Sequence, residues 1–122
     1  MSKVDDVTSA RHMLDAARKA LRLSQGKTRS AFETDEVLAL ALARLLEITG
    51  EAANRVSEKT RQENPTIPWA QVIGMRNRLI HGYDVVDEDI LWKTITEDLP
   101  SLIESLERLQ VCPGSQTPSC DR

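Results

Sequence analysis

Apolar residues recur three and four positions apart along most of this 122-residue chain, the spacing of an amphipathic α-helix. Val7, Ala10, Leu14, Ala17 and Leu21 predict a first helix over residues 4–24, with Gly26 as its stop. Residues 25–33 are polar and predict a loop, with a short turn around Phe32. Thr34 or Asp35 can cap a second helix, whose stripe runs Leu38, Ala41, Leu45, Ile48, Ala52 and Arg55/Val56. That helix is expected to end before Asn64-Pro65, because the residue preceding a proline resists helical geometry. Gly50 falls inside it, where glycine costs roughly 1 kcal/mol relative to alanine. A close helix crossing is the expected compensation.

Residues 64–68 predict a rigid connector, and Pro68 suits the opening of a third helix that runs to His81 or Gly82. Asp84 or Asp87 can cap a fourth, carrying Ile90, Leu91, Ile95, Leu99, Leu102, Leu106 and Leu109. Pro100 must kink or divide that helix. No run of β-branched residues alternates at period two, so strands are not expected. The pattern predicts an all-α fold, a four-helix bundle over residues 1–111 with a disordered tail over 112–122.

Composition adds limits. Hydrophobic residues are 40% and charged residues 29%, ordinary for a globular domain. A formal net charge of −3 argues against a sequence-blind nucleic-acid coat, which is normally basic. Any RNA contact must be local or built by joining two chains. No apolar run suffices to cross a bilayer. The first residues turn acidic without a signal-peptide core, so the cytoplasm is the expected compartment. Cys112 and Cys120 lie in the tail and read as free thiols. No His or Cys pair has metal-ligand spacing that a second pair supports.

The chemistry concentrates in residues 74–84, which hold Arg76, Asn77, Arg78, His81 and Tyr83. Arginine offers a permanent forked charge that suits phosphate, and histidine exchanges protons near neutral pH. On a helical wheel Trp69, Val72, Ile73, Leu79 and Ile80 form an apolar face with Arg76 in its middle. Two readings stay open for Arg76: a structural cation paired with a carboxylate such as Glu51, or a phosphate ligand. His81 likewise reads as a helix C-terminal cap or as a proton carrier. On one straight helix it lies about 140° from Arg76, while Asn77 and His81 share a face. Arg78 falls on the solvent side. Unwinding near His81-Gly82, or a second subunit, would be needed to unite Arg76 and His81.

Arg76-Asn77-x-x-x-His81-x-Tyr83 resembles the Arg-x4-His-x-Tyr motif of HepT-type toxins in the HEPN superfamily. Ile48-Thr49-Gly50-Glu51-Ala52-Ala53 resembles that family's Gly-Glu-Ala segment, residues 68–77 its approach to the motif, and Asp89-Ile90-Leu91-Trp92 with Asp98-Leu99-Pro100 its last helix. The likeness covers roughly residues 4 to 110 and is specific in combination. It implies an antiparallel four-helix bundle that forms homodimers, with two motifs meeting at a cleft between subunits. It implies a toxin that acts as a metal-independent endoribonuclease without a cofactor. Arg76 and His81 would be catalytic, Asn77 and Arg78 would support RNA binding, and a minimal nucleotidyltransferase antitoxin would transfer AMP to Tyr83. The competing expectation is a non-catalytic HEPN module that dimerises or binds a nucleotide beside a nucleotidyltransferase. The 3% aromatic content leans that way, since few side chains can stack on bases.

Overall fold

A computed structural model describes residues 3–81 and 85–109, with side chains described over 6–80 and 86–109. The chain is an all-α helical bundle: α1 (Lys3–Ser24), α2 (Arg29–Thr34), α3 (Glu36–Arg55), α4 (Glu58–Glu63), α5 (Trp69–Ile73), α6 (Met75–Leu79), α7 (Glu88–Lys93) and α8 (Leu99–Glu107). A two-residue antiparallel ladder joins β1 (Ile80–His81) to β2 (Val85–Val86), pairing Ile80 with Val86 and His81 with Val85. No described helix is long and apolar enough to cross a membrane. The expected tail from Cys112, and the Asp84 and Gly82 boundaries, lie outside the described residues.

Several expected boundaries hold. α1 ends at Ser24 and the chain turns at Gly26, whose φ of 76° is left-handed and open to glycine at no steric cost. Asp35 caps α3 by accepting from the Leu38 amide at 3.0 Å, and Asp87 caps α7 by accepting from Ile90 at 3.1 Å. The turn expected at Phe32 is a full helix, α2, because Phe32 is buried edge-on against Trp92, with ring centroids 5.4 Å apart.

Other boundaries differ. The long second helix stops at Arg55, and α4 begins afresh with Ser57 as its N-cap. The cause is a buried carboxylate from α1. Asp6 accepts hydrogen bonds from the Ser57 amide (2.8 Å), the Ser57 hydroxyl (2.6 Å) and the Thr60 hydroxyl (2.6 Å). Arg61 closes the break by donating to the Val56 and Asn54 carbonyls, both at 3.0 Å. Near Pro100 the last helix changes register, with a π-helical turn over Thr94–Asp98 between α7 and α8. A proline has no N–H to return to the preceding turn. The strand pairing, not expected, involves the β-branched residues Ile80, Val85 and Val86.

The buried faces are rotated from the predicted stripes. On α3 the interior holds Ala39, Leu42, Ala43, Leu46, Thr49, Gly50, Ala52 and Ala53, whereas Leu38, Ala41, Leu45 and Ile48 are half-buried. On α1 it holds Met13, Ala16, Ala17 and Ala20, whereas Val7, Ala10, Leu14 and Leu21 are half-buried. Alanines stand among the larger Met13, Leu42 and Leu46 on the buried faces of this helix pair. Gly50 carries the same logic furthest: a Cβ there would stand 2.8 Å from the Val72 carbonyl oxygen and 3.3 Å from that of Ile73. The close crossing expected at Gly50 is thus the contact between α3 and α5.

Gly50→Ala is therefore expected to destabilise the fold by about 1–3 kcal/mol through overpacking, although alanine is the better helix former by about 1 kcal/mol. Urea unfolding checks the sign, and a stabilised variant would contradict the crossing. Asp6 gives a pH-dependent expectation. Burial pushes its carboxyl up, but the two hydroxyls and the Ser57 amide outweigh this and hold it below its ordinary value. A carboxyl depressed in the folded state stabilises above its unfolded pKa of about 3.9 and loses that contribution as pH falls through the folded value. Asp6→Asn should cost about 1–3 kcal/mol at pH 7, and its deficit against the wild type should shrink in urea melts below about pH 4.

Candidate active site

The motif segment is built on a broken helix rather than a continuous one. α5 ends at Gly74, and α6 supplies only one further turn before the backbone becomes extended at Ile80, with φ −114° and ψ 126°. The break lies directly beyond the Val72 and Ile73 carbonyls that press on Gly50. The Asp87 amide donates to the Leu79 carbonyl at 2.8 Å, so the end of α6 is satisfied across the ladder. Buried Met75, Leu79 and Val86 fix this corner in the core.

This geometry changes where the candidate residues stand. Arg76 is not at the centre of a buried apolar face, since its side chain is 47% exposed. The break at Gly74 makes the single wheel inapplicable. Its Nε donates to Oε2 of Glu47 at 2.7 Å. The carboxylate partner is therefore Glu47 of α3, not Glu51. Glu51 lies instead 3.9 Å from Arg44, and Arg44 reaches Oε1 of Glu47 at 3.1 Å. Glu47 is the deeper group, with 17% of its side chain exposed. One carboxylate thus underlies two arginines that reach solvent.

Arg78 is half-buried rather than on a solvent face. It donates from Nη1 to the Gln71 carbonyl at 3.3 Å and so spans the α5–α6 break. Asn77 is exposed, with its amide donating to the Gly74 carbonyl at 3.1 Å. The helical face expected to join Asn77 to His81 does not exist, because α6 stops at Leu79 and His81 belongs to β1. The backbone leaves the helix one residue before His81, so the separation of about 140° on one straight helix no longer applies. The side chain of His81 and the whole of Tyr83 lie outside the described residues.

The structure therefore places Arg76 and Arg44 on one buried acid, with Arg78 bracing the turn beneath. Glu47 stands three residues after Arg44 and three before Gly50, one helical turn from each, but this spacing alone does not select it over Glu51. In the linked group Arg44 and Arg76 are matched by Glu47 and Glu51, and Arg76 stays 47% exposed, able to meet an anion. Among the described residues, no group of three or more His, Cys, Asp or Glu is arranged to hold a metal ion.

The structure thus presents a helical bundle with two solvent-reaching arginines on one carboxylate within and beside the Arg-x4-His segment. The family described as HepT-like ribonuclease matches residues 13–109. A Methanocaldococcus jannaschii protein provisionally named an RNase is 32% identical over 107 residues, 88% of this chain and 98% of its own length. A Thermococcus cleftensis protein named a probable ribonuclease HepT is 37% identical over 106 residues, 84% of this chain and 96% of its own length. A Caldanaerobacter subterraneus protein, also provisionally named an RNase, is 33% identical over 98 residues, 80% of this chain and 88% of its own length. No solved structure matches the chain. The chain belongs to the HepT-like ribonuclease family, and its class of enzyme is endoribonuclease.

Proposed function

We propose that the protein is the toxin of a HepT-type toxin–antitoxin pair, a metal-independent endoribonuclease that acts in the cytoplasm as a homodimer and is silenced by AMP transfer to Tyr83. The observation that carries this reading is Arg76: a half-exposed guanidinium held on α3 by Glu47, five residues before His81 in a segment that leaves the helix between them.

RNA supplies its own nucleophile. In transesterification the 2′-oxygen bonds to phosphorus and the bond from phosphorus to the 5′-oxygen breaks, leaving a 2′,3′-cyclic phosphate and a 5′-hydroxyl. One proton must leave the 2′-hydroxyl and one must reach the 5′-oxygen. His81 is the group in the motif with the right pKa range to serve as that base or acid. Arg76 offsets the charge that grows on the phosphate oxygens. Asn77, exposed beside Arg76, orients a phosphate oxygen, and Arg78 holds the turn on which both stand.

A second copy suits the outer face of α3. Val37 is 78% and Leu40 41% exposed, Ala41, Leu45 and Ile48 are half-buried, and Arg44 on the same face contacts Glu47. Pairing across this face would cover apolar surface and bring two basic sites together. The partner antitoxin would be a minimal nucleotidyltransferase. In the transfer, the Tyr83 phenolic oxygen bonds to the α-phosphorus of ATP, pyrophosphate leaves, and the phenolic proton is lost. The AMP adds bulk and negative charge two residues from His81 and repels RNA phosphates.

Purified protein is expected to cleave RNA in EDTA. His81→Ala and Arg76→Ala should each lower the rate by at least about 100-fold while the helical circular dichroism and the elution volume stay unchanged. Full cleavage by folded His81→Ala would reject the catalytic assignment, leaving a non-catalytic binding module. Co-expression with a minimal nucleotidyltransferase antitoxin should add AMP mass to the peptide containing Tyr83. A Tyr83→Phe protein that stays silenced and unmodified would replace that mechanism with inhibition by complex formation.

A further inference from the structure

We infer that Glu47 is a positioning residue of the ribonuclease site, orienting the Arg76 guanidinium toward the scissile phosphate, with Arg44 on the same carboxylate restoring the positive charge that Glu47 removes. The inference rests on the reading of Arg76 as the phosphate ligand.

The geometry is specific. A guanidinium has two edges able to make paired hydrogen bonds, one containing Nε and one formed by the two terminal nitrogens. Glu47 occupies Nε at 2.7 Å. Among the described residues the terminal nitrogens of Arg76 make no hydrogen bond, so the edge that fits two phosphate oxygens stays open. Glu47 itself is held from below: it projects from the middle of α3, one turn from Gly50, where α3 and α5 are locked at a close crossing. Its carboxylate is only 17% exposed, whereas Arg76 above it is 47% exposed. The acid is therefore the fixed member and the arginine the presented one.

Stability does not account for the pair, because half-exposed ion pairs contribute only about 0–1 kcal/mol. Orientation is a sounder reason, since a long arginine side chain free in solvent must be ordered when it meets the phosphate. A lone carboxylate this near a phosphate would repel it. Arg44, 3.1 Å from Oε1 of the same group and 3.9 Å from Glu51, offsets that repulsion at Glu47.

The test measures kcat and KM on one RNA for wild type, Glu47→Gln, Arg76→Lys and the double variant, with melting temperatures alongside. Glu47→Gln preserves shape and removes the charge. It should lower kcat by about 10-fold or more, with KM and melting temperature little changed. In the Arg76→Lys background, whose ammonium lacks the forked geometry, the same change should alter kcat by less than about twofold. Glu47→Asp, which keeps the charge but shortens the reach, should recover part of the Glu47→Gln loss. If Glu47→Gln is as active as wild type while Arg76→Ala is dead, the positioning role is overturned and the nuclease reading stands. Independent, multiplying losses in the double variant overturn it equally, since Glu47 would then act apart from Arg76. An active Arg76→Ala removes the reading beneath both.

Discussion

The separation between α3 and α5 is set at Gly50 by a hydrogen atom where any other amino acid would carry a side chain. At Gly50 there is room for nothing larger, with the Val72 and Ile73 carbonyl oxygens 2.8 and 3.3 Å from the position of a Cβ. The rest of the site depends on that approach. Because α5 is held against α3, α6 begins beside the α3 turn that carries Arg44, Glu47 and Glu51. Because α5 gives way at Gly74, the next turn can present Arg76 outward while Met75 and Leu79 stay in the core. A straight helix from Pro68 to Gly82 would have had to bury the arginine or expose the leucine.

That difference explains what the sequence made legible and what it did not. The all-α class, the ends of α1, the Asp35 and Asp87 caps and the crossing at Gly50 follow from local rules of capping, glycine and proline. Breaks caused by distant groups could not be read this way. α3 and α4 separate because Asp6, some fifty residues earlier, binds Ser57 and Thr60. The face of α3 was misread for a related reason. Large aliphatic side chains mark a stripe most visibly, yet the buried face combines Leu42 and Leu46 with Ala39, Ala43 and Ala53, whose small size permits close packing. For Arg76 the sequence suggested Glu51 as a partner carboxylate, whereas the structure pairs it with Glu47. The choice between Glu47 and Glu51 depends on how α6 lies across α3, which no pattern within either segment encodes.

The overall acidity of the chain is not an obstacle to binding a polyanion, because the two charges act over different distances. At physiological ionic strength the Debye length is about 8 Å. On the proposed reading, a phosphate at Arg76 would respond to the groups within that range, among them Arg76 and Arg44 beside Glu47. The acidic excess, net −3 for the whole chain, is largely screened beyond that length. Its effect falls on encounter rather than on the bound state: a generally acidic surface repels RNA at long range and leaves only the basic patch productive. Joining two such patches would raise the local attraction without altering the average charge per chain. On the same reading the site would be sensitive to one added negative group, since a phosphodiester placed beside Arg76 would compete for the guanidinium that a substrate phosphate needs.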